Sequence, residues 1–265
     1  MKRKIINIWY QGYLEISSIP EYQKLLQEHV KTIEDDHTTI TINGMPPNFF
    51  KDTSPAEVTR YASSSMVFSN QLLKNALRAE EEKFDGFAIG MIQNLALNEI
   101  NSLLDMPVVG YGQASMEYAQ KVEKKFAVLA FNPNLLDLIN HQIKINNFSD
   151  NAIPSIAIDI DYNNVIKAFQ DPEQLINAFN KASEKAILQG AEIIIPGQMV
   201  FAEILWKNKI FKYKKATVVD AMKTTIESLQ SKINEQKIID NNNNDFWTTT
   251  PPIKLKDIIK KKLKL

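Results

Sequence analysis

Cysteine is absent from all 265 residues, which excludes disulfides, thiolate nucleophiles and any cysteine-held zinc or iron–sulfur centre. Nothing here points to oxidising export. Histidine is scarce, with three residues. His29 and His141 fall in amphipathic helical segments and His37 in a polar turn, with no spacing that suits a metal site or a triad, so each reads as structural or surface. Glycine is sparse too, eight in the chain, and Gly110 with Gly112 lacks the third glycine and the acidic partner of a dinucleotide fingerprint. Nor is there an excess of charge. Lys+Arg and Asp+Glu both total 31, so the summed field gives no general attraction for nucleic acid or an acidic membrane. No apolar run approaches the roughly 20 residues that span a bilayer. The basic residues Lys2 to Lys4 precede an apolar stretch too short and interrupted for a signal-peptide core. The expectation is a cytoplasmic protein with no metal and no cofactor.

What is present is ordinary globular usage, 44% apolar and 23% charged, enough to bury a sizeable core. At this length one large α/β domain or two similar lobes are expected. Strand-like runs alternate with helix-like segments: a strand over Lys4 to Tyr10, a helix over Glu21 to Ile33, and a β-branched strand over Thr38 to Asn43. Met45 to Asn48 is a proline-bearing turn, and Pro55 opens a long helix reaching Lys83, with Ser54 as N-cap. A compact apolar run over Phe84 to Met91, a helix near Leu95 to Leu104 and the segment Pro107 to Gly110 suit a parallel sheet covered on both faces. The pattern then repeats, with strands over Lys125 to Phe131, Ala152 to Ile158 and Gly190 to Gly197, helices over Leu135 to Asn146 and Pro172 to Gln189, and Ala216 to Asp220 leading into a helix that ends near Ile233. Asn241 to Asn244 reads as a polar loop and Lys254 to Leu265 as a basic amphipathic helix docked as a tail.

Four segments carry a resemblance. Phe84-Asp85-Gly86-Phe87-Ala88-Ile89-Gly90-Met91 looks like the first active-site strand of hydantoin racemases, D-x-x-V-I-A-C-F, and Met106 to Ser115 is similar to I-P-V-V-G-x-x-E-A-S. Gly190 to Met199 looks like G-A-D-x-I-x-x-G-C, and Val218-Val219-Asp220 resembles a downstream V-I-D. The chain therefore resembles the aspartate/glutamate/hydantoin racemase superfamily. That resemblance implies an α/β fold of two pseudo-symmetric lobes, each a parallel sheet flanked by helices, around a ligand cleft. The lobes are expected at 1–115 with 217–265, and at 116–216. It further implies a small carboxylate or cyclic amide as ligand, no cofactor, and a homodimer or higher homo-oligomer.

In that superfamily one thiolate removes the α-proton while an opposing thiol delivers another. Here Met91 and Gln198 occupy the two cysteine positions, and neither a thioether nor an amide has a titratable proton. Two-thiol racemisation is chemically excluded, while the fold is not put in question. Ligands of open α/β sheets bind beyond the carboxyl ends of the strands, so Trp9, Gln11, Gln93, Asn94, Ser115, Gly197 and Met199 are expected to bind substrate. Tyr10, Tyr111 and Asp220, with Tyr61 more remotely, are the candidates for moving a proton. Gln11 and Ser115 also suit capping and turn chemistry, Asn94 and Gln198 suit either an enolate-stabilising amide or an ordinary pocket amide, and Asp220 is also a common N-cap. Two functions remain open: a cofactor-independent isomerase, lyase or cyclase working through polar stabilisation, and a catalytically silent ligand- or partner-binding protein with the same fold.

Overall fold

The computed structural model describes residues 5–51, 53–58, 61–236 and 250–263; the expected Asn241 to Asn244 loop lies outside them. The first half runs β1 (Ile6–Gly12), α1 (Pro20–Ile33), β2 (Thr38–Asn43), α2 (Pro55–Val58), α3 (Ala62–Glu81), β3 (Gly86–Gly90), α4 (Leu97–Leu103), β4 (Val108–Gly110) and α5 (Tyr111–Lys121). The second runs β5 (Phe126–Ala130), α6 (Leu136–Ile145), β6 (Ile156–Ala157), α7 (Tyr162–Lys167), α8 (Glu173–Leu188), β7 (Ile193–Pro196), α9 (Met199–Lys207), β8 (Lys212–Tyr213), β9 (Ala216–Val218), α10 (Ala221–Gln236) and α11 (Ile253–Leu263).

Two sheets result, ordered β2-β1-β3-β4 and β6-β5-β7-β9-β8. Every pairing between these strands is parallel except β8 with β9, and parallel neighbours need crossover connections, here supplied largely by helices. The first sheet is buried on both faces because its strands alternate between two apolar layers. Ile8, Tyr10, Ala88 and Val109 join the larger core, which continues into the second lobe. Trp9, Phe87, Ile89 and Val108 face a separate cluster under α3 and α4.

Three expectations needed correction. The long helix from Pro55 is two helices, α2 and α3. The strand expected over Ala152 to Ile158 shrinks to β6 plus a bridge at Ala152, because Pro154 lacks the N–H that a ladder needs. The lobe boundaries also move. Position 115 falls inside α5, which packs with α10 on the first sheet, and position 217 falls inside β9, which hydrogen-bonds to β7 of the second. The return to the first lobe therefore begins after Val218. The basic helix α11 is docked as expected on α3. Lys256 pairs with Asp105 at 2.6 Å and Lys260 with Glu80.

Candidate functional site

The carboxyl ends of β1, β3, β5 and β7 point toward one cavity between the lobes, where the parallel-strand rule places a ligand. About 60 Å³ of it is open to water-sized groups within about 550 Å³ of unfilled space. Gly90, Met91, Ile92 and Gln93 follow β3 on one side, and Gly197, Gln198, Met199 and Val200 follow β7 on the other. Tyr13, Tyr22, Phe131, Asn132 and Tyr162 complete most of the wall. Met91 and Gln198 thus share one cavity, although they come from different sheets.

No charged side chain lines this cavity among the described residues. Among the described residues its ionisable groups are tyrosines, and burial, first among the causes, pushes the Tyr13, Tyr22 and Tyr162 phenols above their ordinary value of 10.0. None of these described wall residues titrates near neutrality. The hydrogen-bonding capacity is carried by amides. Gln198 stands at the N-cap of α9, and its Oε1 accepts from the Phe131 N–H at 3.2 Å. That bond fixes the amide orientation and leaves Nε2 buried with no partner. A buried donor left unpaired costs about 1–3 kcal/mol.

A family model described as Asp/Glu/Hydantoin racemase matches residues 16–229. The chain belongs to this family. Solved structures agree on the fold. Allantoin racemase from Klebsiella pneumoniae superposes with a TM-score of 0.74 at 14% identity, covering 93% of this chain and 94% of that one. Allantoin racemase from Pseudomonas fluorescens gives 0.72 at 17% identity, covering 93% and 98%. A Gly74Cys mutant of arylmalonate decarboxylase gives 0.55 at 12% identity, covering 86% and 93%. No curated protein sequence matches the chain.

Within this racemase-family fold, five of the residues expected at the site line the cavity: Met91, Gln93, Gly197, Gln198 and Met199. The other seven do not. Trp9 and Gln11 lie on the same face of β1, two residues apart, and that face turns toward α3 rather than the cleft. There Gln11 Oε1 accepts from Trp9 Nε1 at 3.1 Å and from Asn75 Nδ2 at 2.9 Å, while its Nε2 donates to the Gly12 carbonyl. The Gln11 amide is spent inside the core. Asn94, with φ 50°, accepts from the Gln113 N–H and so caps α5. It sits so close that a Cβ at Gly110 would overlap its Oδ1. Ser115 and Tyr111 are fully buried on α5, and Asp220 caps α10 by accepting from the Lys223 N–H at 3.0 Å. Tyr61 is exposed at the start of α3.

Tyr10 lies just beneath the cavity floor. Its phenol fills the space a side chain at Gly90 would need, and its hydroxyl has no partner. Burial, and after it the charge of Glu203 and neighbouring phenols, raises its pKa well above 10.0, which disqualifies it as a base at neutral pH. Replacing it, Tyr10→Phe, removes an unsatisfied hydroxyl at constant shape, and the expected gain is about 1 kcal/mol in urea unfolding. A loss instead would show that the hydroxyl holds an internal water or a ligand.

One cluster was not legible in the sequence. His29, expected to be structural or surface, is 2% exposed. Its Nδ1 faces both Glu203 oxygens at 2.9 and 3.0 Å, and its Nε2 faces Asp220 at 3.2 Å. The indole of Trp206 stacks on the ring at 4.1 Å. His37 and His141 are exposed. The three cluster residues are separated by 174 and 17 positions in sequence, so no local spacing announces them.

Proposed function

We propose that this chain is a cofactor-independent member of the racemase family that binds a small carboxylate or cyclic amide in the interlobe cleft, and acts on it by stabilising negative charge rather than by exchanging protons between thiols. The observation that carries this reading is the Gln198 amide, held by Phe131 so that its unpartnered N–H groups remain for a ligand oxygen. The first backbone N–H groups of α9, at the cavity wall, favour the same oxygen. Preorganised donors of this kind lower a barrier without taking a proton. A lyase, isomerase or cyclase step whose charge develops on a carbonyl or carboxylate oxygen fits them. A decarboxylase among proteins of similar fold is consistent with a lyase on this framework.

Of the two ligand classes, the neutral cyclic amide fits the wall better. A dicarboxylate amino acid would bring an ammonium and a second carboxylate into a cavity that offers no charged partner among the described residues, and an uncompensated buried charge is costly. A second reading, ligand binding without turnover, is favoured because no wall residue among those described ionises near neutrality.

Both readings are tested by thermal shift against aspartate, glutamate, allantoin and 5-benzylhydantoin, paired with NMR of each mixture for turnover. The cyclic amides are expected to raise the midpoint with saturation, and Gln198→Ala to weaken that effect about tenfold, the value of one hydrogen bond of about 1.4 kcal/mol. Stabilisation by glutamate or aspartate alone would overturn the ligand class. Product formation decides between enzyme and binder.

A further inference from the structure

The two helices that wall the cleft also carry the buried charged cluster. On α1, Tyr22 lines the cavity and His29 follows seven residues later, on the same face two turns along, about 10 Å at 1.5 Å per residue. On α9, Met199 and Val200 line the cavity and Glu203 follows four residues after Met199, one turn along. α1 packs directly against α9. The helices therefore run side by side from the cleft to the His29–Glu203 pair. The third member, Asp220, sits at the crossover from β9 to α10, where the chain leaves the second sheet and returns to pack on the first.

We propose that His29 is the positioning residue of the cleft: a buried imidazolium, bonded through both ring nitrogens, that ties α1 of one lobe to α9 and the interlobe crossover of the other and so sets the spacing of the cavity walls. Each ring nitrogen faces a carboxylate oxygen, and a doubly protonated ring, with an N–H on each nitrogen, satisfies both ends when the carboxylates are ionised. The groups that face this cluster are Glu203 from α9, Asp220 from the crossover, Tyr10 from β1, Tyr22 from α1 and Tyr111 from α5. All three phenols stay neutral at ordinary pH, so among the described residues Glu203 and Asp220 are the charged groups that act on the ring. Burial acts to lower the histidine pKa, and the hydrogen bonds and charges of Asp220 and Glu203 outweigh it, holding it at about 9. The tie is thus closed throughout the neutral range. Its stacking on Trp206 adds a cation–π contact and a built-in reporter.

The test is amide hydrogen exchange read by mass spectrometry on the full chain at pH 7. His29→Gln, which keeps bulk but cannot carry the charge, is expected to lower protection about tenfold in residues 20–26 and in 198–204 together, while 126–130 and 193–196 at the sheet centre are unchanged. A change confined to the turn around His29, or one spread evenly over the chain, would overturn the proposal, since either would make the cluster a stability element with no hold on the cleft. If His29→Gln does not fold, the wild-type chain is followed from pH 7 to 10, with intrinsic exchange rates corrected. The same two segments must then loosen together as pH crosses about 9. Fluorescence that is lost in Trp206→Phe should change over the same interval, and a flat titration would overturn the assignment of the charge.

Discussion

Replacing His29 by leucine is expected to destabilise the protein by about 3–5 kcal/mol, the cost of leaving a buried ionic cluster without its cation. Glu203 is fully buried and Asp220 mostly so, with a side chain 18% exposed, and neither carboxylate has another basic partner among the described residues. Thermal unfolding should show a midpoint lowered by roughly 10 °C for a chain of this size. The paired replacement His29→Leu with Glu203→Leu should cost less than His29→Leu alone, because it removes the orphaned charge along with its partner. Equal or greater loss in the pair would show that packing, not charge, dominates the site.

The same cluster gives the unfolding free energy a pH dependence whose sign follows from linkage. His29 titrates at about 9 in the folded chain and at about 6.5 when unfolded. Between those values the folded state holds the extra proton, so the contribution is fully present below about pH 6.5 and is lost as pH rises through 9. Glu203 acts in the same direction. Burial, its largest influence, raises its pKa above 4.5 against the opposing effect of His29, so the folded state again binds more protons than the unfolded one. Urea midpoints measured from pH 6 to 10 should fall between about pH 6.5 and 9 and level off above that, and a rise would contradict the assignment.

The largest functional effect is expected from restoring the thiols. The unmodified chain should show no α-hydrogen exchange of 5-benzylhydantoin in deuterium oxide above the buffer rate, because no cavity group among the described residues titrates near neutrality. The double variant Met91→Cys with Gln198→Cys should exchange at least about 100-fold faster, the lower end of what a positioned acid–base pair contributes. The two positions differ in a useful way. Position 198 is the N-cap of α9, where the helix dipole favours a thiolate. Position 91 is 2% exposed among apolar neighbours, which favours the neutral thiol. One base facing one acid is the arrangement proton exchange across a carbon needs. Rates equal to the unmodified chain would mean that the cavity does not hold a ligand's α-carbon between these positions, and exchange by the unmodified chain would mean that another base acts.

The residues that were and were not legible divide along a physical line. Strand and helix positions follow from hydrophobic periodicity and from proline and glycine placement, both local properties, so α1, β2 and α8 appear within a residue or two of expectation. Met91 and Gln198 were found because the segments around them have a recognisable order. Trp9 and Gln11 were misplaced because which of two alternating faces meets the cleft depends on what covers each face, here α3 on one side and the second lobe on the other. Asn94 and Asp220 carry residue types that serve capping or catalysis equally well. Geometry assigns both of them to helix N-termini.

The sequence by itself determined the fold class, the absence of thiols at both cysteine positions, and hence the exclusion of two-thiol proton exchange, because these depend on residue identity and on local pattern. Only the tertiary structure decided that the cavity wall carries no charge among the described residues, that the Gln198 amide is oriented by Phe131, and that His29 is buried between two carboxyl groups. Those facts depend on which distant side chains are brought within a hydrogen bond of one another and shielded from water. Burial and partnership, rather than residue type, set the charge state of each group and what it can bind.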